Sequence, residues 1–333
     1  MATGVTASTY QEVLGIAPEP QPADGTPVDP TAFIPITNLE PKNVVQKLLD
    51  QSWRGSMVQT TNVQNGPQSS ELSIEGNAYP DTIGFLFAGV LGDITTTGSA
   101  APFTHTISLY NGGNGQPPSY TITDSLSALS TRQYASSRVQ QFVLTYDASK
   151  LLTYKSKWLG WAAPTTSTAP TTSYTTVPPA PSWQCAFQID GTADPTVETM
   201  EVTLERQDSD PIWTLQNDPN PYQVHVGPIE VTFKATIVAA NENALDDYFS
   251  NTSRPLVMTL SSGSGATATQ IKITASQYNY QSVTKSLGNS YVEYEIEALA
   301  VGNITDAGSS GGYSPCKVVL QNALPANSYT AAP

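Results

Sequence analysis

His105 and His225 are the only histidines in the sequence. A serine or cysteine nucleophile activated by imidazole would have to lie beside one of them. His105 falls on the apolar face of an alternating segment, Phe103 to Leu109, where a histidine is expected to be a satisfied core group. His225 sits in PYQVHVGP beside a loop and is expected at the surface or an interface. The pairs Asp190 with Asp194 and Asp208 with Asp210 could supply the two carboxylates of a glycosidase. Both lie in Gly- or Pro-containing turns, where aspartate bonds its own backbone. NGGNG at 111–115 lacks the lysine of a phosphate-binding loop. Cys185 and Cys316 are too far apart in sequence for a zinc motif or a disulfide framework. No catalytic residue, metal or cofactor is expected.

One acidic arrangement stands out. Glu293, Glu295 and Glu297 alternate with Val292, Tyr294, Ile296 and Ala298. On a strand these carboxylates share one face at spacings of about 7 Å. Glu201 and Glu205 do the same opposite Met200, Val202 and Leu204. Like charges about 7 Å apart repel by only about 0.6 kcal/mol in water, and less in salt. The rows fit a plain solvated face. They also fit a water-filled acidic wall past which a polyanion slides without sticking.

These residues need strands to position them, and the pattern supplies strands. In 71–92, Leu72 and Ile74 alternate with Ser73 and Glu75. Tyr79-Pro80-Asp81 then opens a helix, with proline in the first turn and acid at the positive end of the dipole. Ile83, Leu86, Phe87, Val90 and Leu91 form one apolar stripe, and Gly92 ends it. Gly84 and Gly89 cost about 1 kcal/mol each inside a helix, so this helix needs a sheet to lie on. The plan returns at 229–260. Val231, Phe233, Ala235 and Ile237 alternate, Asn241 or Asn243 can cap, and Leu245, Tyr248 and Phe249 form a stripe ended by Asn251. The echo is one of pattern and points to an internal duplication.

Elsewhere strand patterns dominate, including 102–110, 119–124, a hairpin over 138–161, 183–189, 197–205, 270–276, 291–301 and 317–324. VVQKLLD at 44–50 fits a short helix or a strand. The expected class is mainly β, a β-sandwich or barrel with short helices packed on the sheet. The expected organisation is an extended arm over 1–30, a first β domain over 31–162, a Pro/Thr-rich connector over 163–181, a second β domain over 182–305, and an extension over 306–333.

Lys and Arg total 14 against 28 Asp and Glu, a formal net charge of −14. Holding DNA by phosphate neutralisation needs the opposite balance. MATGVTASTYQEVLG has neither the basic nor the apolar region of a signal peptide. No apolar run reaches the roughly 18 residues of a membrane span, so no membrane association is expected.

Longer stretches carry a resemblance: LGIAPE, GTPVDPTAFIPI, RGSMV, PDTIGFLFAGVLGDITTTGSAAPFTHTISLYNGGNGQPPSYTITD, RQYAS, ENALDDYFSNTSRPL, YVEYEIEALA and TDAGSSGGYSPCKVVLQNA. Together they resemble the tail tube (major tail) proteins of long-tailed phages of actinobacteria, over nearly the whole chain except the connector. The resemblance implies a structural virion protein of tail-tube-type fold, assembled in the host bacterial cytoplasm. Its subunits would stack as rings into a hollow tail tube around a tape-measure protein and meet tail terminator and tail tip proteins. DNA would pass through an acidic lumen without specific binding, and the helices would lie outside the inner barrel. The family carries no catalytic residues.

Glu201, Glu205, Glu293, Glu295 and Glu297 become candidate lumen-facing acids. Ile83, Leu86, Phe87, Val90, Leu91, Leu245, Tyr248 and Phe249 are the expected helix contacts to the sheet. The arm, the NGGNGQPP turn and the C-terminal segment are suitable inter-ring contacts. Three chains per ring are favoured over six if both halves line the bore. The alternative is a carbohydrate-binding or adhesin β-sandwich of a phage tail, which would use exposed aromatics; Trp158, Trp161 and Trp213 are available.

Overall fold

The computed structural model describes residues 7–21, 25–126, 129–288 and 290–331. The first half contains β1 (Glu12–Pro18), β2 (Ala32–Ile34), β3 (Asn38–Asp50), β4 (Asn62–Asn77), α1 (Ile83–Leu91), β5 (Gly92–Thr97), β6 (Phe103–Leu109), β7 (Tyr120–Leu126), β8 (Thr131–Asp147) and β9 (Thr153–Gly160). The second contains β10 (Cys185–Ile189), β11 (Thr192–Ala193), β12 (Val197–Arg206), β13 (Asp210–Ile212), β14 (Gln223–His225), β15 (Ile229–Val238), α2 (Asn243–Ser250), β16 (Arg254–Ser262), β17 (Thr269–Ser286), β18 (Glu293–Ala300) and β19 (Lys317–Asn322). The protein is mainly β with large antiparallel sheets, a β-sandwich arrangement. Residues 44–50 are strand, within β3. Among the described residues no helix is long and apolar enough to cross a membrane.

Eight strands form the main sheet, in the order β3-β4-β9-β8-β12-β15-β18-β17, every pairing antiparallel. Two strands outrun it. The N-terminal part of β8 pairs with β7, which pairs with β1 and then β2. The N-terminal part of β17 lies between β16 and β19, which lead to β10 and to β6 and β5. The alternation that makes one strand face apolar therefore fills one core between these layers. Leu144, Val202, Phe233 and Ala298 lie side by side across the main sheet, each 2 % exposed or less.

The halves repeat one another in connectivity. β3-β4-β9-β8 corresponds to β12-β15-β18-β17, with a helix after β4 and after β15. The correspondence extends to an irregularity: β8 skips Gln140 against β9, and β17 skips Gln281 against β18. A bulge re-aims a strand and raises its local twist. It falls where each long strand passes from the main sheet toward its outer partners.

The helices differ. All nine residues of α1 are buried, including Ile83, Leu86, Phe87, Val90 and Leu91. Phe87 meets Phe142 edge-to-face at 5.0 Å, and Tyr329 from the chain's end meets Phe85 at 5.0 Å. In α2 only Ala244 is buried. Leu245 is half-buried, Tyr248 is 37 % exposed and Phe249 78 % exposed. The expected stripe of α2 is corrected accordingly: the helix is short, polar on most sides, and tethered through Asp247 in its middle. Arg254 binds Asp247 through both Nε and Nη2, at 3.0 and 2.8 Å.

Two boundary expectations are also corrected. The arm expected over 1–30 contains β1, whose Leu14 and Ile16 are fully buried. Glu19 then locks this segment down, accepting from Ser119 Oγ at 2.7 Å, Thr121 Oγ1 at 2.8 Å and the Ser136 amide at 2.8 Å. The extension expected over 306–333 contains β19, an interior strand between β17 and β6. Both segments close sheets that the remaining chain leaves open.

Two outcomes test this packing. A Cβ on Gly84 would lie 2.3 Å from the Tyr329 ring. Overpacking of this kind costs about 1–3 kcal/mol, against a helix-propensity gain of about 1. Gly84→Ala therefore lowers the melting temperature, and does so much less in a Tyr329→Ala background; equal losses in both backgrounds would refute the close approach. Glu12 lies beside Asp124, and burial, then the hydrogen bond and like charge from Asp124, push its carboxyl from 4.5 up to about 8. The folded chain thus holds this proton more tightly than the unfolded chain. Its contribution is present at low pH and fades as pH rises from about 4.5 through about 8. Protection of the β1 amides against exchange falls over that window, and Glu12→Gln flattens the dependence.

Candidate functional site

The polar face of the main sheet collects the predicted acids. Glu201 stands in register with Lys234, and Lys234 with Glu297, on three adjacent strands. The Lys234–Glu297 pair closes at 3.2 Å. Glu205 sits across from Glu230, and Glu295 from Thr236. Glu201, Glu205 and Glu297 are half-buried and Glu295 is exposed. Glu293 differs: at the turn end of β18, near Tyr291, it is only 7 % exposed and belongs to the covered margin of this face.

The acidity belongs to one repeat. On this face the second repeat carries Glu201, Glu205, Glu230, Glu293, Glu295 and Glu297 against Lys234 alone. The first repeat carries Glu40, Glu71 and Glu75 against Lys42, Lys155 and Lys157. Its charges pair across strands, Lys42 to Glu71 at 2.8 Å and Lys155 to Glu75 at 3.1 Å. Sequence reading found the glutamate rows by alternation. It missed the balancing lysines, because their placement opposite glutamates depends on strand register.

The outermost strands of the sheet are β3 and the C-terminal part of β17. Among the described residues each pairs on one side only within the chain. Apolar side chains project at one end of the sheet. Trp53, Met57 and Val58 lie on the β3–β4 turn, and Trp213 and Leu215 on the β12–β15 connection, all well exposed.

The groups first considered for chemistry are scattered. His105 is buried between Thr96 Oγ1 at 2.8 Å and Asn322 Oδ1 at 3.3 Å, and burial lowers its pKa. His225 is exposed on β14. Asp194 caps its own turn through the Thr196 amide at 3.0 Å, and Asp190 binds Arg254 at 3.0 Å. Asp208 holds a left-handed turn position, φ 49°, beside Asp210 at the start of β13. Cys185 and Cys316 are free thiols pushed up to about 12 by burial. Trp158 is in the core, Trp161 half-buried, and Trp213 exposed. A cleft of about 1000 Å³ is lined partly by Gln116, Arg138 and Tyr222. Its polar groups already serve one another, since Gln116 Oε1 accepts from Arg138 at 2.9 Å and from the Val226 amide at 3.0 Å. Among the described residues no cluster of His, Cys, Asp and Glu could hold a metal.

Sequence reading also missed the joint between the repeats. β8 pairs with β12 over seven residues, from Asp147↔Thr199 to Gln141↔Glu205. At its end Arg206, 4 % exposed, donates to the last carbonyls of α1: Val90 O at 2.8 Å, Leu91 O at 3.4 Å, and also Gly227 O at 3.2 Å. Burial lowers this guanidinium to about 10. A strand of the second repeat thus caps the helix of the first, a relation no local pattern announces.

The described residues thus present a long sheet with two open margins and a charged face, and their ionisable groups are scattered. The sequence matches the family described as phage tail tube protein over residues 9–300, and the chain belongs to that family. It is therefore a structural component of a virion tail. No curated protein matches the chain.

The buried cation Arg206 and the exposed cation Lys234 should respond differently to removal. Arg206→Met strands buried carbonyls and costs about 1–3 kcal/mol. Lys234→Met, at an exposed pair, costs about 1 kcal/mol or less. Denaturant melts of the two variants check the contrast, and equal losses would contradict it.

Proposed function

We propose that the chain is the ring subunit of the tail tube of a long-tailed phage infecting actinobacteria, with three chains per ring. Main sheets of neighbouring copies join into one barrel whose polar face lines the bore. Rings stack head to tail, an open-ended heterologous assembly. The apolar tips carrying Trp53, Met57, Trp213 and Leu215 suit the contact with the next ring. The tube forms in the host bacterial cytoplasm around a tape-measure protein, and terminator and tip proteins complete it. DNA then runs through without being bound. Glu201, Glu205, Glu295 and Glu297, with Glu230, make the second repeat the repelling sector of the wall, with Glu293 at its covered margin.

The observation that carries this reading is that both repeats contribute four strands to one continuous sheet. Three such sheets give about 24 strands at about 4.8 Å, a bore on the order of 40 Å between backbones before tilt widens it. That admits a DNA duplex. Six chains would double the width and leave the duplex unguided.

Concentrated protein should form hollow filaments in negative stain. Native mass measurement of a single ring should give three times the 35.4 kDa chain. A ring of six chains, or a chain that stays monomeric at high concentration, overturns the proposal.

A further inference from the structure

We infer that the chain carries the template of its own subunit contact. The free side of β17 in one copy pairs antiparallel with β3 of the next, in the register that joins β8 to β12 within the chain. This rests on the reading of the chain as a ring subunit.

The matched repeats fix the equivalences. Against the adjacent strands, Asn38 takes the place of Thr199, Leu39 of Met200, and Glu40 of Glu201. With the bulges aligned, Ser282 takes the place of Gln141 and Ser286 that of Thr145. One residue further, Leu287 takes the place of Tyr146. Carrying the internal joint across, Met200↔Tyr146 becomes Leu39↔Leu287 and Glu201↔Thr145 becomes Glu40↔Ser286. Thr203↔Val143 becomes Lys42↔Thr284, and Glu205↔Gln141 becomes Val44↔Ser282.

The side chains at these positions support the transfer independently of connectivity. Met200 and Tyr146 are buried in the internal joint, 4 % and 3 % exposed. Their equivalents are again both apolar, yet Leu287 is 70 % exposed in the single chain and Leu39 is half-buried. On the polar face, Glu40 meets a hydroxyl as Glu201 does, so no like charges are forced together. Two pairs depart: the Val202↔Leu144 position is filled by Pro41 and Lys285, both exposed, and the Leu204↔Phe142 position by exposed Asn43 and half-buried Val283. Proline brings no N–H to a ladder, and an inward-pointing lysine discourages chance pairing. Such an edge is guarded in the free subunit and accepts a partner that matches along its remaining length.

The test uses the full chain carrying Leu39→Cys and Leu287→Cys together. Directly opposed residues on antiparallel strands have Cα atoms about 4.5–5.5 Å apart, within disulfide reach. Oxidised tubes should give covalent dimers and trimers on non-reducing gels, and Leu39→Cys alone should give none. Preferential linkage of Leu39→Cys to Lys285→Cys overturns the register, and linkage of Leu39→Cys to itself overturns the β3–β17 pairing. Hydrogen exchange on the unmodified protein covers variants that fail to assemble. On going from subunit to tube, amides of 38–44 and 282–287 should gain protection together. Tubes in which both segments exchange as in the subunit overturn this contact while leaving the ring reading intact. A wild-type chain that forms no tubes overturns both.

Discussion

The strand edge sets the terms for this molecule. Each margin of a sheet presents a row of backbone N–H and C=O groups without partners, an invitation to any extended chain. Within the fold the chain answers this repeatedly. β1 and β2 cover β7, β19 closes the gap between β17 and β6, and β12 covers β8. β3 and the end of β17 are treated differently. They carry Pro41 and Lys285, side chains that restrain pairing without covering the edge. Segments that look dispensable by composition, such as the acidic and proline-rich N-terminus, are integral because they occupy edges.

The same constraint explains the unequal helices. Helix α1 lies inside a closed layer, with β8 below, β12 reaching its C-terminal carbonyls through Arg206, and Tyr329 above. Its glycines are contact points, since a Cβ on Gly89 would come 2.6 Å from Val139. Helix α2 occupies the matching place in a repeat that has no following repeat within the chain. Among the described residues α2 packs against β17 and has no neighbour placed as β12 is beside α1. Phe249 is left facing solvent and Arg254 with Asp247 serves as its tether.

What could be read from the residues divides along the same line. The alternation of Leu72 and Ile74, of Val231 to Ile237 and of Glu293 to Glu297 was legible because strand period is local. The stripe of α1 was legible because all its apolar spacing serves one packed environment. The stripe of α2 misled for the same reason: Leu245, Tyr248 and Phe249 keep helical spacing, but spacing says nothing about whether a neighbour exists to receive them. The partners of Arg206, the pairing of Lys155 with Glu75, and the bulges at Gln140 and Gln281 all depend on register between distant strands. Local sequence does not encode that register; the core contacts of both faces select it.

Charge on the polar face follows from register in turn. In the first repeat each lysine pair neutralises its glutamate within about 3 Å. Such alternating charge cancels at distances beyond the roughly 8 Å screening length of physiological salt. The five accessible carboxylates of the second repeat, Glu201, Glu205, Glu230, Glu295 and Glu297, face one lysine, so their field survives to a greater depth of solvent. In the proposed tube the wall would alternate between near-neutral and acidic sectors, three of each around the ring. A polyanion at the centre would be pushed from three directions, while each near-neutral sector carries one exposed lysine, Lys157, opposite Ser73 and Gln141. Conducting a charged polymer needs that balance more than it needs maximal acidity, since a uniformly dense wall would also repel its own neighbours across every subunit joint.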